Sequence, residues 1–352
     1  MNKDIFTPID ELNFASLTRQ HAATLKRSGI ATFAHLNEAL RRESKQPKLY
    51  GIQTKALRED CMQYEKKVTR GNLAYNKGPI IVPPMGMVLD AKDSPTIMQR
   101  RQNTQSERLA LSQLAQSLED ELPKEYLLND LMQDVRNQQY LGSCTGFGSI
   151  NSREFLVQLA LSPGFAYRGA KMLDGYPYLE GSWQEFAFEF MVKHGAVLES
   201  EYPYEMCLNE ECIEPYLDIA TTFAISSYVD LMVEHEYLVS VLKAALSGYL
   251  MPELGPQPVS ISVAVYESFC DYAAYSTGLI PVPLASEKQE GGHAMCVCRY
   301  TSLYGVDYFL VINSWGKSFA QNSPLGLPGY ALIPAAYIAT PGLVGELLMP
   351  LE

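Results

Sequence analysis

The chain has 352 residues, 47% of them hydrophobic and 19% charged, with a formal net charge of −12. That composition excludes a disordered chain, and no apolar run reaches the roughly 20 residues that a membrane-spanning helix needs. Residues 1–14 carry acidic groups where an export signal would need apolar ones, so a cytoplasmic location is expected, with signal-independent export as the alternative.

Residues 1–75 form a predicted helical module. Leu12, Leu17, Ala22 and Leu25, then Ile30, Phe33, Leu36 and Leu40, recur at helical spacing around a Ser28-Gly29 break. A turn at Leu49-Tyr50-Gly51-Ile52 precedes a third helix from Thr54 to Val68. The module holds 13 Lys/Arg against 8 Asp/Glu, which leaves the acidity to the rest of the chain. A basic module on an acidic body suggests two tasks, although a solvated face with ordinary lysines gives the same count.

Residues 76–121 combine a Pro-rich stretch with a polar helix from about Gln105 to Glu121. Ile80 to Leu89 is too apolar to hang free in water and should be buried along a lobe or in a cleft.

From 122 to 352 the pattern changes from helices to strands. Helices are expected at Cys144–Leu161, Tyr167–Met172 and Trp183–His194, and strands at Val259–Val265, Ala294–Arg299, Tyr308–Ile312 and Tyr330–Ile333. Helices first and strands second predict an α+β fold with two facing lobes. Seven scattered cysteines do not make a disulfide framework. Cys207 and Cys212 could be half of a zinc site, but no second pair completes it, so reduced thiols are expected, with no metal and no cofactor.

Three motifs carry chemistry. Cys144 follows the polar loop from Gln138 to Ser143 and opens a helix, where unpaired N–H groups and the helix dipole favour a thiolate. The Cys144 N–H and the Gln138 amide could hold an oxyanion, although a buried structural thiol is the plainer reading of this loop alone. His293 stands apart from the other four histidines by its Gly291-Gly292 collar at the start of an apolar strand. Asn313 ends another strand just before Trp315. Its oxygen can accept the imidazole N–H while the indole keeps water away.

Cysteine, then a distant histidine, then asparagine, in this order, resembles the papain-like C1 cysteine peptidases. Leu161-Ser162-Pro163, Gly181-Ser182-Trp183, His194-Gly195-Ala196, Tyr202-Pro203-Tyr204 and Thr277-Gly278-Leu279-Ile280-Pro281 extend the likeness over about 122–340. The resemblance implies Cys144 as nucleophile, His293 as acid/base, Asn313 as its orienter and Gln138 as oxyanion donor. It also implies a substrate edge at Gly181 and Ser182, with a side-chain pocket walled by Trp183, Gln184, Ser262 and Ala294. Trp315 would cover the histidine. Such walls suit a medium-sized residue without strong charge. Two departures stand out. Leu141 and Leu179 occupy positions where plant and lysosomal members carry a disulfide, and Ser182 replaces a glycine on the substrate edge.

The resemblance therefore implies a two-lobed papain-like domain at 122–352 that cleaves protein or peptide substrates. Amine acyl transfer or isopeptide cleavage would use the same groups. A second alternative is an adaptor or nucleic-acid-binding protein with an idle protease fold, because the module at 1–75 resembles small helix-hairpin-helix domains. Related peptidases are made with an N-terminal inhibitory segment, and 76–121 occupies that place either as a structural strap or as a plug.

Overall fold

A computed structural model describes residues 5–46, 48–66, 68, 84–87, 105–126 and 134–352. The N-terminal module begins later than its leucine spacing predicts. Thr18 caps the first helix, α1 (Arg19–Arg27), by accepting the His21 N–H, so Leu12 and Leu17 lie in the preceding loop. Helix α2 (Phe33–Arg42) follows the Ser28-Gly29 break. The module is helical, with one small hairpin added. Strands β1 (Lys48–Leu49) and β2 (Ile52–Gln53) pair as a hairpin ahead of helix α3 (Thr54–Glu65). The hairpin closes on Tyr50 and Gly51, both at positive φ (47° and 83°), a backbone state that glycine enters without strain.

This module has its own apolar core around Leu25, Phe33, Leu36 and Leu57, and Ala273 of the catalytic region enters it. Polar contacts complete the joint. His35 Nε2 lies 3.1 Å from the Leu279 carbonyl, Tyr50 donates to the Val282 carbonyl, and Glu38 accepts the Ala273 N–H. Arg42 pairs with Asp271 and Glu287. The module is thus docked against 271–287, the stretch leading into the strand that carries His293.

Helix α4 (Gln105–Leu118) lies on the strand lobe. Ala115 is buried there, Arg108 pairs with Asp230 at 2.9 Å, and Ser112 donates to Glu234.

The helical lobe is built on α5 (Cys144–Val157), α6 (Pro163–Leu173) and α7 (Gln184–Lys193). The α6 start is standard: Ser162 accepts the Phe165 N–H and Pro163 occupies the first turn. The central helix α5 is buried from Cys144 to Phe155; its first turns are small or apolar all round, and its buried charges Arg153 and Glu154 are paired with Glu352 and Arg136. Gly148 lets it approach the facing sheet: a β-carbon there would sit 3.0 Å from the Met295 nitrogen.

Six strands form the second lobe: β3 (Ser227–Asp230), β4 (Val259–Tyr266), β5 (Gln289–Leu303), β6 (Val306–Ile312), β7 (Tyr330–Pro334) and β8 (Val344–Leu351). The sheet order is β3-β8-β4-β5-β6-β7, with every neighbour antiparallel. Helix α8 (His235–Ser247) covers one face. Cys296 and Cys298 fall on the same side of β5, in one cluster. Two predictions fall short here. Strand β5 runs well beyond Ala294–Arg299 at both ends, and β3 and β8 were not anticipated.

Candidate active site

The nucleophile loop and the end of β6 are stitched together across the lobes. Gln138 N–H donates to the Ser314 carbonyl at 2.8 Å, and Asn137 bridges Trp315. At the start of α5, Ser143 does not cap the helix. Its hydroxyl meets Tyr204 Oη at 2.6 Å, and that phenol donates to the Gln138 carbonyl. First-turn amides, the Cys144 N–H among them, therefore remain available to a negative charge.

Asn313 fixes the imidazole. Its Oδ1 accepts the Ser314 N–H at 2.7 Å, which identifies that atom as the oxygen, and it lies 2.7 Å from His293 Nε2. Nε2 must then carry the proton, leaving Nδ1 as the base; Nδ1 has no hydrogen-bond partner. Trp315 stacks on the ring with centroids 4.9 Å apart. Ser314 also donates to Gln138 Oε1 at 2.6 Å, which turns the Gln138 NH2 towards the cleft.

The four predicted catalytic residues, Cys144, His293, Asn313 and Gln138, are all buried between the lobes. The Cys144 thiol faces backbone groups of Ala294, the residue after His293.

The filled cleft opposes the thiolate that the helix start favours. Burial pushes the Cys144 thiol up to about 11, against the pull of the Ala294, Gly86 and Thr145 backbones. Burial likewise lowers His293 to about 4, against the raising effect of Asn313.

What buries them is the chain itself. Gln138 Nε2 donates to the Pro84 carbonyl at 2.8 Å. The Gly86 carbonyl accepts the Ser182 N–H at 2.8 Å, and Met87 N–H donates to the Gly292 carbonyl at 3.2 Å. Residues 84–87 thus lie in the cleft as an extra strand, parallel to Ser182 on one side and antiparallel to Gly292 on the other. Residues 80–83 and 88–89, also expected to be buried, lie outside the described residues.

Met87 reports on the pocket. It is buried in one cluster with Cys144, Ala170, Trp183, Phe186, Ala187 and Ala294. Ser262 stands directly opposite Ala294 across β4 and β5. Gln184 turns its side chain to Ser260 and Gly148 at the seam between the lobes. The departure at Ser182 is accommodated: its hydroxyl turns away to Asp174 at 2.9 Å, leaving the main chain on the cleft side. Gly181 N–H is held by Tyr167 Oη.

Sequence reasoning missed three groups. Ser314 and Tyr204 aim Gln138, and both stood inside motifs already noted, without a role. Glu346, buried opposite Ser262, accepts the Gln184 N–H, and it sits on a strand that was not anticipated.

The papain family cysteine protease profile matches residues 124–327, more than half of the chain. The chain belongs to the papain family. Among curated papain-family relatives, a low-temperature-induced cysteine proteinase of Solanum lycopersicum is 27% identical over 221 residues, 61% of this chain and 57% of that protein. Bos taurus cathepsin S is 27% identical over 195 residues, 53% of this chain and 54% of that one. The chain spans just over half the length of these relatives. The fold is similar to that of xylellain, a cysteine protease from Xylella fastidiosa, with TM-score 0.54 and 22% identity, covering 67% of this chain and 88% of that one. Among the described residues no group of His, Cys, Asp and Glu could hold a metal, and no helix is long and apolar enough to cross a membrane.

Proposed function

We propose that this papain-family chain is a cysteine endopeptidase whose cleft its own residues 84–87 keep closed. The observation that carries the first half is the Gln138–Ser314–Asn313–His293 chain of hydrogen bonds at the mouth of α5. Cys144, as thiolate, attacks a peptide carbonyl carbon. The oxyanion is held by Gln138 Nε2 and the Cys144 N–H. His293 Nδ1 takes the thiol proton and passes it to the leaving amine. Water, deprotonated by the same nitrogen, then releases the acyl group. Asn313 keeps Nε2 protonated throughout.

The second half rests on the Pro84, Gly86 and Met87 main-chain bonds, which occupy the oxyanion donor and both edges of the cleft. Helix α4 acts as a strap on the strand lobe, while 84–87 act as the plug. Met87 in the pocket supports a preference for a medium-sized, uncharged residue.

The assembled catalytic set argues against an idle protease fold. Docking of the N-terminal module on 271–287 favours a buttress over a free nucleic-acid-binding domain. A reducing, cytoplasmic setting fits the loop at Leu141 and Leu179, where a Gly142 N–H to Glu180 bond of 2.5 Å ties the two loops in place of a disulfide.

Mass spectrometry of a peptide mixture incubated with the full chain, its Gly86→Ala variant and a Gly86→Ala/Cys144→Ala control tests this. Cleavage in the open variant alone is expected. Cleavage that survives Cys144→Ala, or products carrying an added amine in place of water, would overturn it.

A further inference from the structure

The edge that pairs with 84–87, Gly181 and Ser182, sits at the end of a loop with little apolar anchorage. Residues 175–180 are exposed; Tyr178 is fully exposed, and Leu179 and Glu180 also face solvent. Such a loop would ordinarily wander, because exposed backbone without packing opens at low cost. Yet its last two residues must present main-chain groups to an extended peptide within a few tenths of an ångström.

One side chain gathers three of the loop's carbonyls. Lys171 Nζ donates to Asp174 Oδ2 at 2.6 Å and to the carbonyls of Tyr176, Leu179 and Gly181 at 2.7, 2.9 and 3.0 Å. An ammonium has three N–H bonds, so four acceptors at these distances share them, and the loop is wrapped around the charge. Asp174 is buried. Its Oδ1 accepts the Tyr176 N–H at 2.9 Å, and its Oδ2 accepts the Ser182 hydroxyl at 2.9 Å. Tyr167 Oη accepts the Gly181 N–H at 3.2 Å. Tyr167, Lys171 and Asp174 follow at helical spacing along one face of α6, which packs on the nucleophile helix. These ties run from that face to the loop, beside the Gly142 N–H to Glu180 bond from the nucleophile loop, and the Ser182 N–H is left for the cleft, where it now meets Gly86.

We infer that Lys171, with Asp174, is a positioning residue for peptide binding: it holds the Gly181-Ser182 edge in register for main-chain pairing. This deepens the peptidase reading and rests on it. Lys171 touches neither the thiol nor the imidazole. Its loss should therefore weaken the pairing of any extended chain, whether substrate or the 84–87 segment, and leave Cys144 chemistry alone. Interactions made equally in ground and transition states appear in KM rather than kcat.

The test has two arms, both with full-length protein. In the otherwise unaltered chain, Lys171→Met should raise the iodoacetamide labelling rate of Cys144 at least tenfold, because the Ser182–Gly86 bond loses its support. In the Gly86→Ala chain, Lys171→Met should raise KM for a substrate reaching four residues upstream of the cut at least tenfold. There kcat and Cys144 labelling should stay within threefold. Asp174→Asn, which keeps the shape and removes the charge, should move both readouts in the same direction by less. Unchanged labelling in the first arm, or equal losses of KM, kcat and melting temperature in both variants, would overturn the positioning role. An open chain that labels at Cys144 but cuts no peptide would sink the peptidase reading instead; the first arm is still decisive for the loop.

Discussion

Gly86 and Gly142 meet backbone to backbone in the cleft: a β-carbon on Gly86 would lie 1.6 Å from the Gly142 carbonyl oxygen. No side-chain adjustment relieves an overlap with a main-chain atom. Gly86→Ala should therefore expel 84–87 from the cleft while sparing the catalytic groups. We expect at least tenfold faster peptide hydrolysis and Cys144 alkylation in that variant. Equal rates in the two proteins would show that this segment is no barrier.

The protonation state should follow the segment. Desolvation disfavours the charged forms of both Cys144 and His293 while the cleft is filled. Alkylation of Cys144 in the unaltered chain should be slow at pH 7 and should still rise beyond pH 9. Once water enters the cleft, the thiol falls and the imidazole rises. The Gly86→Ala chain should then label rapidly down to mildly acidic pH. Coincident pH–rate curves for the two proteins would contradict this.

Catalytic substitutions, measured in the Gly86→Ala chain, should be graded. Cys144→Ala and His293→Ala should abolish turnover, since no other group can attack or carry the proton. Gln138→Ala and Asn313→Ala should leave residual activity, at a cost of about 2.7–4 kcal/mol, or roughly a hundred- to thousandfold in kcat, typical of a single oxyanion donor. Full activity in Gln138→Ala would mean that another donor holds the oxyanion.

The joint between the N-terminal module and the catalytic domain should weaken in alkali. Glu38 is raised from 4.5 to about 8, first by burial and then by Asp271, against the Ala273 N–H, Arg42 and Arg41. The native state therefore keeps a proton that the unfolded chain releases above its ordinary carboxyl pKa. Stability should fall as pH rises from about 4.5 through 8, by on the order of a few kcal/mol. Melting temperatures between pH 5 and 9 would record the decline, and Glu38→Gln should flatten it. A wild-type profile as flat as the variant's would remove Glu38 as the cause.

Much of the architecture could be read from local pattern. The Ser28-Gly29 break, the helix opening at Cys144 and the strand ending at Asn313 are each set by residues within a few positions. Strand β5 extends past its apolar run because Gln289 at one end pairs with Tyr266, and Thr301 and Ser302 at the other pair with Tyr308 and Asp307. Strand β8 contains Pro350, a residue rare inside strands, and it pairs with Tyr228 near the end of the β3–β8 ladder. The same limit hid Glu346 and the aiming roles of Ser314 and Tyr204, which depend on partners far away in sequence.

The sequence by itself marked the candidate groups for chemistry, because the nucleophile's helix start, the histidine's glycine collar and the strand-end asparagine are written in neighbouring residues. It also led to the expectation that 80–89 is buried, because apolar residues leave water wherever they can, and among the described residues of that stretch Gly86 and Met87 are buried. Only the tertiary structure decided that Pro84, Gly86 and Met87 take the cleft itself and so shut Cys144 and His293 away from water. Protonation is set by what excludes water from a group, and here that is a stretch of chain some sixty residues before the thiol.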